Sequence, residues 1–315
     1  MNRREFLKHG SMVLASPALL ATLRQTNRAK AAASSSGAVG KMKRVGCTTV
    51  CFRARFPSTR PKNYPGTKPD LGLLDVPDFF AEKLGVHNVE LWSKHFDERS
   101  LKYCQKIKKA GQRAGSVIVN IQLDEPGYNL SHRDAAERKN SVEFVKRWMD
   151  RAAACGATSL RANTGGGPKF DVDITADSYR QLAECGQKIN VKILIENHGG
   201  HSGNPDNIVA IIKAVDSPWC RSLPDFGNVP TNSTQQQRDE FLKKLYPYAH
   251  LVSAKGMYFD EEGNHLTYDI GGCVRFAEAN GFKGIYSAEQ WSPKPIRVDD
   301  LTASRRIIQE IVRNL

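Results

Sequence analysis

The feature that most constrains this chain is an eightfold alternation of short apolar runs with amphipathic stretches, beginning near Arg44 and lasting to the end. Eight runs read as strands: Val45–Phe52, Asn88–Phe96, Ser116–Leu123, Ser159–Thr164, Lys192–His198, Arg221–Asn228, Leu251–Phe259 and Gly284–Trp291. Between them lie helical patterns such as Arg138–Cys155, Ser178–Ile189, Asn207–Val215, Arg238–Leu245 and Val274–Ala279. Gly85, Gly115, Gly156 and Gly281 stand where helices end, each a few residues before the next strand. A glycine there accepts the left-handed backbone that closes a helix. Helix, glycine, strand at intervals of ~30 residues is the signature of βα units. Eight units in a 315-residue chain predict one (β/α)8 TIM barrel, a fold of about 250 residues. A doubly wound open sheet would show a glycine fingerprint after the first strand, and here Arg53-Ala-Arg-Phe56 follows. There is no GxGxxG, phosphate-binding loop or HExxH.

The first 31 residues read as an address label and not as part of the fold. A basic start with Arg3-Arg4-Glu5-Phe6-Leu7-Lys8 leads into a modest apolar stretch, Gly10 to Leu23, too short to span a membrane. Ala29-Lys30-Ala31 then supplies a small-x-small cleavage pattern. The segment resembles a twin-arginine export signal. That resemblance implies the twin-arginine translocation machinery as a partner of the precursor and a periplasmic or secreted destination. Residues 32–42 read as a flexible lead-in, and 43–315 as the barrel.

The formal net charge of +13 suggests nucleic acid until its location is considered. The signal-like segment holds a net five of those charges, which leaves +8 on the remainder. Much of that excess lies on predicted helices and in the loop Arg53–Pro69, where a solvated face accounts for it. The seven cysteines include no CxxC pair, so neither a zinc knuckle nor a redox motif is present.

In a barrel of this type working residues sit at the carboxyl ends of the strands. The second strand carries Glu90 and His95 near its end, and the fourth Arg161 and Asn163. The fifth, Lys192-Ile-Leu-Ile-Glu196-Asn-His198, places Glu196 and His198 on one face by the period of two. The sixth ends at Asp225, the seventh carries Ser253 and Lys255, and the eighth Glu289 and Trp291. Glu196 and Glu289 emerge from apolar runs, and a buried charge needs a partner. Carboxylates from strands five, six and eight would converge at the barrel mouth, where a hard divalent cation is their natural occupant.

Three segments carry a family resemblance: Leu-Ile-Glu196-Asn-His-Gly-Gly, Leu-Pro-Asp225-Phe-Gly-Asn and Tyr-Ser-Ala-Glu289-Gln-Trp. In their order and strand positions they resemble the xylose-isomerase-like TIM-barrel superfamily. That group contains sugar and sugar-phosphate isomerases and epimerases, and the family-2 apurinic endonucleases. The resemblance implies metal ligation by Glu196, Asp225 and Glu289, with Mn2+ or Mg2+ ahead of Zn2+, and an acid/base pair in the two glutamates. Where the family commonly has His-x-Lys on strand seven, this chain has Ser253-Ala-Lys255, so the fourth ligand falls to the Ser253 position or to His198. A second departure is Asn228, where a further histidine is often found.

The reading that results is an exported, metal-dependent sugar isomerase or epimerase with a small carbohydrate as its partner. Lys255 would hold the developing enediolate oxygen, Arg161, Asn163 and His198 would bind hydroxyls, and Trp291 or Trp92 would stack on a sugar face. A keto-glycoside lyase or hydrolase of the same superfamily is the nearest alternative. Loss of the strand-seven histidine favours a third, a metal-free sugar-binding protein. An endonuclease-like phosphodiesterase needs more histidines than the eight present, and nucleic acid is not expected. Stable membrane insertion is not expected either, and a homo-oligomer is compatible with the sequence. The choice of sugar falls to the loops Arg53–Pro69 and Asp124–Arg133.

Overall fold

A computed structural model describes residues 39–62, 69–291 and 298–315. The signal-like segment and its cleavage pattern lie outside the described residues. Residues 42–315 form one compact unit, the barrel.

Eight strands form one parallel sheet: β1 (Val45–Thr48), β2 (Asn88–Trp92), β3 (Val117–Leu123), β4 (Ser159–Ala162), β5 (Lys192–Glu196), β6 (Cys220–Leu223), β7 (Leu251–Gly256) and β8 (Ile285–Gln290). Neighbours pair in chain order, and β1 pairs with β8. Between β6 and β7 the ladder thins to two bridges, Ser222 with Ala249 and Asp225 with Ser253. The bonds Ser253 N to Pro224 O (2.9 Å) and Phe226 N to Ser253 O (3.0 Å) close the barrel there.

Helices interleave as α1 (Val76–Leu84), α2 (Leu101–Arg113), α3 (Ala135–Cys155), α4 (Val172–Ile189), α5 (Pro205–Val215), α6 (Gln235–Lys243), α7 (Ile270–Ala279) and α8 (Asp300–Asn314). Several begin a turn before the apolar periodicity does. Asp134, Asp171, Asn204 and Thr234 accept backbone N–H groups as N-caps, so the first turn is polar and reads in sequence as loop. All eight strands are shorter than the runs read from sequence, and two of them end by turning into 3-10 helix. After Thr48 and after Trp92 the backbone turns into 3-10 helix, Thr49–Phe52 and Ser93–His95, where burial persists without extended structure. Gly186 lets α4 close on the start of β5, since a Cβ there would stand 2.1 Å from Val191 O.

Strand alternation sorts side chains between two environments. Ile193 and Ile195 of β5, Val252 and Ala254 of β7 and Tyr286 and Ala288 of β8 pack outward in the main core beneath the helices. The intervening residues face the barrel axis. Val119, Leu194, Leu223 and Leu251 form a separate small apolar cluster, with Ile285 against it, as a floor. Above the floor the axis turns polar, with Glu90, Asn120, Ser159 and Ser287 buried, and the functional residues lie beyond them.

Candidate active site

Sheet register brings distant residues of the sequence together at the carboxyl end of the barrel. Lys255 pairs across the ladder with Glu289, Gln122 with Arg161, and Asp225 bridges Ser253. Glu196, Asp225 and Glu289 are all buried, and ligand oxygens from the three lie within 4.8 Å of one another. The three carboxylates expected to converge therefore do so.

Each has a distinct set of partners. Glu196 Oε2 lies 3.0 Å from Arg161 Nε, a charge contact whose angle falls outside hydrogen-bond geometry. Its Oε1 is 3.4 Å from the donor Asn228 Nδ2, and its backbone N donates to Asn163 Oδ1 at 3.1 Å. Asp225 Oδ1 accepts from Gly227 N (2.7 Å) and Asn228 N (2.8 Å), whereas Oδ2 is buried with no hydrogen bond. Glu289 Oε1 meets Lys255 Nζ at 2.8 Å, and Oε2 accepts from Gln122 Nε2 at 2.9 Å.

These surroundings push the carboxyls apart. Burial raises Asp225 to about 8, with Lys255 opposing and the charges of Glu196 and Glu289 adding. Burial likewise raises Glu196 against the pull of Arg161 and Lys255. Glu289 is also desolvated, but the Lys255 ammonium and Gln122 amide hold it below the usual carboxylate range. Three buried carboxyls beside Lys255 and an Arg161 already paired with Asp124 cannot all ionise together without a further cation. Two buried oxygens without hydrogen bonds, Glu196 Oε2 and Asp225 Oδ2, face the same small volume. Hard oxygen donors with spare lone pairs suit a divalent cation, so this donor set can hold a metal.

The other residues named from sequence fall in two groups. A cavity of about 620 Å3 above the cluster is lined by Arg161, Asn163, His198, Lys255, Glu289 and Trp291. Of the two contenders for fourth ligand, Ser253 borders the carboxylate group and His198 stands outside it. Ser253 Oγ donates weakly to Glu289 Oε2 at 3.4 Å, and His198 stands exposed beyond the end of β5. Trp291 stands edge-to-face with Trp92, centroids 6.3 Å apart, and carries the Arg53 guanidinium 3.7 Å above its ring. Glu90 and His95 lie elsewhere. His95 stacks on Phe56 at 3.6 Å between hydroxyls of Thr49 and Thr59, and burial pushes its imidazole down to about 3.

Sequence reasoning passed over three contributors. Gln122 holds Glu289, and the Thr48 hydroxyl donates to Gln122 Oε1 at 3.0 Å, which fixes the amide with its NH2 toward the carboxylate. Asp124 accepts from Trp92 Nε1 at 2.6 Å and pairs with Arg161; burial opposes its ionisation, but Arg161 holds it below the usual range. Asp124 follows directly on β3, so its place at a strand end was the signal available.

A closed eight-stranded barrel with an acidic cluster at its carboxyl end defines a class of protein, and the comparisons agree. Residues 80–311 match the family described as xylose isomerase-like TIM barrel, and the chain belongs to it. Solved structures with the same fold include 3-keto-D-glucoside 4-epimerase from E. coli in apo form. It is 12% identical with a TM-score of 0.61 over 85% of this chain and 98% of that one. A D-tagatose 3-epimerase-like protein aligns over 86% of this chain and 97% of its own, at 17% identity and a TM-score of 0.59. A xylose isomerase-like TIM barrel protein from Mycobacterium smegmatis, in complex with magnesium, matches at 16% identity and a TM-score of 0.57 over 86% and 97%. No curated protein sequence matches the chain. Among the described residues no helix is long and apolar enough to cross a membrane.

Proposed function

We propose that this protein is a sugar isomerase or epimerase that moves a proton beside the carbonyl of a keto-sugar. The observation that carries the reading is the convergence of Glu196, Asp225 and Glu289, two with an orphaned buried oxygen, beneath an open cavity. These three residues would hold one divalent cation, Mn2+ or Mg2+, which when bound polarises neighbouring carbonyl and hydroxyl oxygens. The structural neighbours, among them a 3-keto-D-glucoside 4-epimerase, a D-tagatose 3-epimerase-like protein and a magnesium complex, support the same chemistry.

The chain's own groups divide the work. Glu289, kept ionised by Lys255 and Gln122, is the base that takes a proton α to the carbonyl. Glu196, pushed the other way by burial, starts protonated and gives its own proton to the carbon, and solvent then resets the pair. Arg161, fixed by Asp124, orients Glu196, and Lys255 lies within reach of an oxygen that gains charge. Trp291 and Trp92 offer apolar faces to a sugar ring, with His198 and Asn163 at the wall. Export of the folded protein to the periplasm is part of the proposal, supported by Arg3-Arg4 and the segment that follows.

The test is solvent-deuterium exchange into a panel of keto-sugars and oxidised glycosides, with metal content measured on the same samples. Wild type is expected to hold about one divalent ion per chain and to exchange label. Glu196→Gln and Glu289→Gln are expected to stay folded and lose exchange; if both exchange at the wild-type rate, the acid/base assignment is wrong. Label uptake accompanied by release of an alcohol would favour the lyase chemistry instead. For export, an N-terminus starting after Ala31 in the periplasmic fraction is expected, and an unprocessed cytoplasmic chain would refute it.

A further inference from the structure

Lys255 reaches the acidic cluster by a specific route. Its stem lies over Gly227, where a Cβ would stand 3.0 Å from Lys255 Cγ and Cδ, so only a glycine leaves the stem its present path. The Nζ ends 2.8 Å from Glu289 Oε1 and 3.8 Å from Asp225 Oδ2. Position 253, one strand repeat earlier on the same face, contributes only the Ser253 hydroxyl, itself 3.4 Å from Glu289 Oε2. Of these two neighbours on β7, the protein cation makes the closer contact with Glu289, at 2.8 Å against 3.4 Å for the hydroxyl.

That cation and a metal ion compete for the same oxygens. A hard divalent ion sits about 2.0–2.6 Å from its oxygen ligands. An ion bound to the Glu289 oxygen that Lys255 now contacts would lie within roughly 5 Å of Nζ. In a buried site two positive charges at that separation repel strongly, because little water intervenes to screen them. Lys255 also lines the cavity, so its flexible stem has somewhere to carry the ammonium.

We infer that Lys255 is the built-in counter-ion of the metal site, neutralising Glu289 and Asp225 in the metal-free protein and leaving them toward the cavity when a divalent ion binds. The inference rests on the metal-binding reading above and adds an exchange of one cation for another. It makes metal affinity a property of a residue that is not a ligand.

The experiment is calorimetric titration of Mn2+, and separately Mg2+, into the metal-free full chain as wild type, Lys255→Met and Lys255→Arg. The Met variant is expected to bind at least tenfold more tightly than wild type, and the Arg variant no more tightly. Without metal the Met variant should melt below wild type, and Mn2+ should raise its Tm by more than it raises wild type's; a merely structural lysine would lower both melting points alike. Equal or weaker binding by the Met variant overturns the counter-ion role and leaves the metal reading standing. Absence of binding in every variant removes both. Should the Met variant not fold, the Lys255 ammonium resonance of 15N-lysine-labelled wild type serves instead. It is expected to shift in step with Mg2+ occupancy, and a signal that stays put through saturation overturns the proposal.

Discussion

Two layers of buried carboxylate share the axis of this barrel, and they are built to opposite rules. In the lower layer Glu90 is completely buried, yet both oxygens are satisfied: Asn120 Nδ2 donates to Oε1 at 2.7 Å and Ser287 Oγ to Oε2 at 2.5 Å. Asn120 is in turn fixed by the Ser159 hydroxyl at 2.9 Å. Among the described residues no lysine or arginine forms an ion pair with Glu90, and burial pushes it up to about 7. In the upper layer Glu196 and Asp225 keep an oxygen without a hydrogen bond, and lysine and arginine charges stand beside the cluster. Closed hydrogen bonding with neutral donors marks a carboxyl that maintains the fold. Open lone pairs beside cations mark carboxylates kept for something that arrives.

The largest expected effect falls in the upper layer. Replacing either Glu196 or Glu289 by Gln should reduce deuterium exchange by about 10³-fold, the range of a lost general acid or base. Glu196→Gln should leave thermal melting little changed, since Arg161 keeps Asp124, whereas Glu289→Gln strands Lys255 and should lower the Tm; a large drop in Glu196→Gln would make that glutamate structural and the contrast between layers false.

Asp225→Asn should weaken Mn2+ binding by at least about tenfold, since even outer partners of ligands matter that much. The same change should stabilise the metal-free protein near neutral pH, by roughly 1 kcal/mol or more, because it removes a carboxyl that burial disfavours as an anion. Metal titration and urea unfolding on one preparation test both halves, and unchanged affinity would remove Asp225 from the donor set.

Glu90 offers the converse. Its folded value near 7 lies above the unfolded value of 4.5, so the protein is favoured below pH 4.5 and loses that contribution as the pH rises toward 7. The loss amounts to about 3 kcal/mol over that window. Glu90→Gln should flatten this part of the stability profile and leave exchange activity within about twofold, Gln keeping an acceptor for Asn120 or Ser287. Glu90→Leu strands both donors and should cost about 2–4 kcal/mol. Denaturant unfolding between pH 4 and 8 measures this directly, and a large activity loss in Glu90→Gln would erase the distinction between layers.

The smallest effect belongs to the link that connects the layers' neighbours. Thr48→Val frees the Gln122 amide, at the cost of two neutral hydrogen bonds since the hydroxyl also caps Val50 N, and should lower kcat by about fivefold with KM unchanged. A change confined to KM would place Thr48 in substrate binding and not in the alignment of Glu289.

The sequence by itself determined the barrel, because period-two apolar runs, amphipathic stretches and helix-ending glycines are local signals that need no knowledge of contacts. It also marked Glu196, Asp225 and Glu289, since each is a charge at the end of a run otherwise fit for burial. Tertiary structure alone decided what surrounds them. Glu90 looked like another strand-end acid, and only the axial packing of Asn120 and Ser287, 30 and 197 residues away, makes it a closed structural group. Gln122 and Thr48 carry no charge and so no signal, yet register sets them against Glu289. Lys255 was legible as a strand residue, while its position between Glu289 and Asp225 depends on a cross-strand pairing and on the bare Cα of Gly227. Which side chain ends a strand is fixed by local pattern; which ones meet across the axis is fixed by register and closure, and those exist only once all eight strands have folded.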